Sequence, residues 1–191
     1  MITEELTLRK HPKLESMFKE AESRFLNDDE LKLYLEVYPE GKSKADASNE
    51  IKSVANQVVK KVITRIYELY PYEQFHEMAM PKCVRDVRYV VAYAVESMLM
   101  NDPDWFRDKL LIWLKTILQS FEYPDLREGT TERYFNDPET KAHVESLKPH
   151  QRSIYETYLG VKKEMQAVLS EEAYSEVEIY LDMPISCLPH Q

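Results

Sequence analysis

Three glycines, at positions 41, 129 and 160, are all that this chain of 191 residues has available for tight turns. A sheet protein needs glycine at hairpins, bulges and left-handed corners, so a chain this poor in it folds as helices joined by short connections. Leu, Glu, Lys, Ala and Met, which favour helix, are plentiful. The expected fold class is therefore all-α. The length suits one domain over residues 1–191, enough to bury a single core.

Helical periodicity divides the chain. Leu14, Met17, Phe18, Ala21 and Phe25 predict a first amphipathic helix after His11-Pro12, and Asn27 or Asp28 caps a short second one to about Tyr38, stopped by Pro39. Residues 1–40 thus read as an N-terminal helical extension. Ile51, Val54, Ala55, Val58, Val62, Ile66 and Tyr70 form one stripe, opposed by Lys52, Gln57, Lys60 and Glu68 and ended by Pro71, which predicts a central core helix. A further helix from Pro81 to about Met100 is predicted to bury Val84, Val87, Val91, Ala94, Val95 and Met98 on one side. Asn101-Asp102-Pro103 reads as a turn, with Asn101 left-handed, Asp102 a cap and Pro103 the first residue of the next helix. Trp105, Phe106, Leu110, Leu111, Trp113, Leu114, Ile117 and Phe121 predict a bulky helix whose aromatics pack in the core. Residues 122–139 are polar, hold Gly129 and two prolines, and read as a surface loop. Two last helices are expected from Pro149 to Leu169 and from Ser170 to about Leu181, with Cys187 inert in a Pro-bounded tail.

Charge and composition exclude several functions. A net charge of −9 opposes nucleic-acid binding, and Lys60, Lys61 and Arg65, the nearest thing to a basic stripe, read as a solvated helix face. No apolar run approaches the roughly 20 residues that span a bilayer, and the start Met1-Ile2-Thr3-Glu4-Glu5 is not a signal peptide, so a cytoplasmic, not membrane-spanning protein is expected. His76-Glu77-Met78-Ala79-Met80 lacks the second histidine of a zinc-protease helix, and the glycines are too sparse for a phosphate-binding loop. A cysteine hydrolase would need a histidine beside Cys83, for which His76 is the local candidate. No enzyme is expected.

The chemistry concentrates in Met80-Pro81-Lys82-Cys83-Val84-Arg85-Asp86-Val87-Arg88-Tyr89. Pro81 fits the first position of a helix, which puts Cys83 in the opening turn, where free amides, the helix dipole, Lys82 and Arg85 favour a thiolate. Helical spacing sets Cys83 near Asp86, Lys82 beside Asp86 and Arg85 beside Tyr89, so that a thiol, a carboxylate, two cations and a phenol could line one end of a groove.

Lys82-Cys83-Val84-Arg85-Asp86, with Tyr89 following and the helix ending in Leu99-Met100-Asn101-Asp102, resembles the chromophore-helix signature of the phycobiliproteins, light-harvesting subunits of the phycobilisome. The resemblance runs from about Leu14 to Phe121. It implies a globin-like helical domain with two N-terminal helices that project and grip a partner, the alternative being that they fold back onto their own core. It also implies a thioether from Cys83 to an open-chain tetrapyrrole (phycocyanobilin-like), hydrogen bonds from its pyrrole N–H groups to Asp86, and pairing of its propionates with Arg85 and Lys82. The implied partners are phycobilisome or photosystem proteins, at the cytoplasmic face of the thylakoid membrane. Three departures stand out. The segment between Pro71 and Cys83 is shorter than the family's Gly-rich loop, Ala92 and Glu96 stand where an arginine and a tyrosine usually contact the partner, and Trp113 stands near a usual glycine. They motivate a rival reading, a chromophore-free assembly or regulatory factor, and an association as a homodimer or with an unusual partner.

Overall fold

The computed structural model describes residues 8, 11–71, 78–120 and 132–189, and among these no strand occurs. Leu14, Met17, Phe18 and Ala21 lie on one side of α1 (Pro12–Ala21) and all are buried. Asn27 caps α2 (Asp28–Val37) through a capping box in which its side chain accepts from the Asp29 and Glu30 amides while Glu30 reaches back to the Asn27 amide. Both expected N-terminal helices are therefore present. They do not project, however. Their apolar residues join the single core cluster, the buried Tyr34 hydroxyl donates to the Leu99 carbonyl at 2.9 Å, and Lys52 donates to the Leu26 carbonyl at 3.1 Å. A projecting first helix would leave Leu14, Met17, Phe18 and Phe25 partly exposed, and this expectation is corrected for the first three, which find a core within the same chain, while Phe25 is half-buried.

No proline or glycine interrupts the chain from 42 to 69, and α3 (Lys42–Leu69) uses all 28 residues, starting earlier than its apolar stripe does. After it, α4 (Ala79–Met100) runs through the middle of the molecule. Val84 is only partly buried, but every residue from Val90 to Met100 is inaccessible, so the second half of α4 is covered on all sides rather than on one. Asn101 ends it at φ 54°, in the left-handed conformation that Asn tolerates, and Asp102 caps α5 (Pro103–Phe106) by accepting from the Trp105 amide at 3.2 Å.

Arg107–Leu111 then form a π-helical turn before α6 (Ile112–Ser120). That turn inserts one residue into the helical register. Leu110, Leu111 and Leu114 consequently face the core, whereas Trp113 is 59% exposed and Ile117 half-buried, against the expectation that both pack inside. Phe121 lies outside the described residues, as does most of the expected loop at 122–139. Its described end, 132–137, is irregular yet buries Tyr134 and Phe135, and a helix not expected from the sequence, α7 (Pro138–Ser146), begins at once under an Asp137 cap.

The last two helices, α8 (Pro149–Val168) and α9 (Glu171–Cys187), start where they are expected to, and the Ser170 hydroxyl caps α9 through the Ala173 amide. α9 continues past Leu181 with Pro184 inside it, so Cys187 is the final helical residue rather than part of a tail. α3 packs on α4, α8 and α9, and α4 on α9, which makes one all-α body around α3 and α4. Gly160 marks a close approach in that body. A Cβ there would lie 2.7 Å from the Tyr134 ring.

Candidate functional site

α4 begins at Ala79, so Pro81 is its third residue and Cys83 its fifth. Pro81 still sits among the first four amides, which have no intrahelical acceptor, and its missing N–H leaves no hydrogen bond unmade. Cys83, by contrast, lies beyond the opening turn where amides and dipole would act on it most strongly. It is half-buried, and the Tyr67 hydroxyl of α3 stands 3.4 Å from its sulfur. Burial pushes the thiol up from its usual range, the Tyr67 hydrogen bond pulls down, and the Asp86 charge pushes up again. Burial at this position therefore works against the expected thiolate-favouring setting. On α8 the buried Tyr158 faces the same groups, and burial, then Cys83 and Asp86, raise its phenol as well.

The reactivity of this thiol follows. A thiol held above its ordinary range carries less of the reactive thiolate at neutral pH. In a Cys187→Ser background, Cys83 is expected to react with iodoacetamide more slowly at pH 7 than a free cysteine, with a rate still climbing at pH 9. Tyr67→Phe, which removes the one contact that lowers the thiol, is expected to slow it further. A rate equal to that of free cysteine would show that burial has no hold on the sulfur.

Arg85 is exposed and Asp86 partly buried, and they pair with each other, Nε to Oδ1 at 2.7 Å, rather than Lys82 pairing with Asp86. Lys82 is exposed. Two residues along a helix are separated by about 200°, so Cys83 and Arg85 point to opposite sides of α4. Cys83 turns to Tyr67, whereas Arg85 and Tyr89, with Arg88 and Ala92, line a cleft of about 420 Å³ closed on its other side by Ser23, Arg24 and Phe25 from the α1–α2 turn. The five predicted residues are thus brought to one segment but not to one groove. Asp86 links the two faces, near Cys83 by position and bonded to Arg85.

Tyr67, Tyr158, Arg24 and Phe25 were not legible as members of this region, because each reaches it through tertiary packing. Glu96 left a signal, a lone carboxylate in an apolar run, and it is 1% exposed here. Another cleft, about 450 Å³, lies elsewhere, between Arg133, Phe135, Lys141, Val144 and Arg152. The basic stripe also has a structural use. Lys61 pairs with Glu164 at 2.6 Å, and Arg65 donates to the Glu132 carbonyl at 2.7 Å, fastening α8 and the 132–135 segment to α3. His76, the local histidine for a cysteine hydrolase, lies outside the described residues. Among the described residues no group of three His, Cys, Asp or Glu could hold a metal ion, and no helix is long and apolar enough to cross a membrane.

Two comparisons bear on this geometry. A family model described as Phycobilisome protein matches residues 18–127, a span that runs from α1 through the Cys83 segment and beyond α6. No curated protein matches the chain.

Proposed function

This chain belongs to the phycobilisome protein family, and on that premise we propose that it is a non-enzymatic subunit of the light-harvesting system whose Cys83 carries an open-chain tetrapyrrole. The observation behind the reading is the set of donors at the start of α4: a half-buried thiol at Cys83, a carboxylate at Asp86 with its side chain 39% exposed, and exposed cations at Lys82 and Arg85. In its donor types that set fits the group. Cys83 would hold it through a thioether, the Asp86 carboxylate would accept hydrogen bonds from pyrrole N–H groups, and Arg85 and Lys82 would neutralise its two acid chains. Tyr89, 38% exposed beside Arg85, would offer a ring face at the same surface. When bound, the tetrapyrrole supplies visible absorption. The chain's own part is to hold it and to fix its charge.

One observation favours a second reading, a chromophore-free assembly or regulatory factor acting on a phycobilisome or photosystem component. Cys83 is turned to Tyr67 and away from the cleft that Arg85 and Tyr89 line, and its thiol is held up by burial. Co-production with a bilin supply and attachment enzymes separates the two. A mass increment of one tetrapyrrole that survives denaturation and is lost in Cys83→Ser is the expected result, and an unchanged mass would leave the chromophore-free factor.

A further inference from the structure

Glu96 is the most deeply buried carboxylate of α4, 1% exposed, and it lies beneath the turn joining α1 to α2. The Trp105 indole of α5 donates to its Oε2 at 3.3 Å, while Oε1 is buried with no partner. A buried ionised carboxylate with one oxygen unsatisfied is costly, so the site suits the neutral acid. The groups around it reinforce that preference. Glu22, in the turn, brings a second carboxylate and holds its Oε1 against the Tyr93 hydroxyl at 2.7 Å. Among the described residues Arg24 brings a positive charge to bear on Glu96, but its guanidinium is already committed to Glu30 by bonds of 2.7 and 2.8 Å and to the Phe25 carbonyl at 3.1 Å. Between Glu22 and Arg24 the backbone passes through Ser23 at φ 72°, a conformation that costs a non-glycine residue and persists only where its surroundings hold it.

We propose that Glu96 is a proton-operated latch: neutral, it lets the α1–α2 turn close over α4, and ionised, it drives that turn away so that water reaches the carboxylate. Opening would uncover the apolar side of α1, Leu14, Met17, Phe18 and Ala21, which is shielded in the closed form. The electrostatics agree with the geometry. Burial pushes the Glu96 carboxyl up to about 8, the Trp105 indole pulls down, the Glu22 charge pushes up, and Arg24 and the Ser23 amide pull down. Tyr93 on the same helix has its phenol raised by burial first and then by Glu22 and Glu96, so it stays neutral over the range in which the latch works.

Trp105 is the reporter. In a Trp113→Phe background it is the one remaining tryptophan, and its emission is expected to titrate with a midpoint near pH 8. Trypsin cleavage after Lys13, Lys19 or Arg24 is expected to rise several-fold across the same midpoint, once corrected for protease activity on a control peptide. Glu96→Gln keeps an acceptor for the indole but carries no proton to lose, and it is expected to abolish both transitions. Glu22→Gln, which removes the neighbouring negative charge, is expected to move the midpoint down. Absence of an emission midpoint between pH 6 and 9.5, or its persistence in Glu96→Gln, would overturn the proposal. So would a titration of Trp105 with no change in cleavage, which would leave a buried acid without a latch.

Discussion

Phe18→Ala is expected to destabilise the protein by about 3–5 kcal/mol, the cost of emptying a buried aromatic site that cannot collapse around it. For a chain of this size the melting temperature should fall by roughly 10 °C. Phe18 is 1% exposed, Leu14 and Ala21 on the same side of α1 are fully covered, and all three belong to the core cluster that includes α3 and α4. A projecting helix would behave otherwise. Its phenylalanine would be wet in the isolated chain, and truncating it would change the melting temperature by little while weakening association. Urea denaturation near pH 6, where Glu96 is neutral by the sign of its shift, gives the cleaner measurement. A midpoint lowered with the slope unchanged assigns the loss to the folded state. A change below about 0.5 kcal/mol would mean that α1 is not part of the core.

The pH dependence of that stability has a definite sign. Glu96 is raised in the folded protein, so the stability it permits is fully present below the ordinary carboxylate range and is lost as pH rises through about 8. Glu96→Gln is therefore expected to flatten the fall between about pH 5 and 8, gaining relative to the parent towards the alkaline end. Measurements of Phe18→Ala and of its parent need one fixed pH to be compared.

The helices were legible because their signals are local. Asn27 or Asp28, Asp102 before Pro103 and Ser170 before two glutamates each mark a helix start, and the structure caps with Asn27, Asp102 and Ser170. The stripe from Ile51 to Tyr70 marks α3 for the same reason. What failed depends on register or on distant partners. A single extra residue in the π turn at Arg107–Leu111 turns Trp113 outward, and a pattern read at 3.6 residues per turn carries no sign of it. Cys83 was read from its neighbours on α4, but the balance at its sulfur is set by burial and by Tyr67, sixteen residues earlier on α3. Residues 132–135 looked polar and loop-like. They are held because Arg65, Lys163 and Glu156, far away in sequence, converge on their carbonyls, amide and side chains.

That convergence carries the second large effect. Glu156 is fully buried, and it accepts from Arg133 Nη1 at 2.7 Å, from the Tyr70 hydroxyl at 3.0 Å and from the Tyr134 amide at 3.2 Å. Arg133 in turn donates to the Tyr70 oxygen at 2.6 Å, so the three side chains close a ring that seats Tyr134 against Gly160. Arg133→Met removes the cation and leaves the carboxylate buried, for which about 3–5 kcal/mol of destabilisation is expected. The paired replacement, Arg133→Met with Glu156→Gln, removes both charges while keeping an acceptor oxygen for the Tyr70 hydroxyl or the Tyr134 amide, and is expected to recover most of that loss. Recovery distinguishes a stranded charge from mere loss of packing, because a packing defect at Arg133 would persist in the double variant. Salt gives an independent check. The surface pair of Arg85 and Asp86 should weaken as ionic strength rises, whereas the Arg133–Glu156 coupling, with its carboxylate out of contact with solvent, should change little between 0.1 and about 0.5 M. If the single variant cost less than about 1 kcal/mol, the ring would be an ornament on a segment held by Arg65 and Lys163 alone.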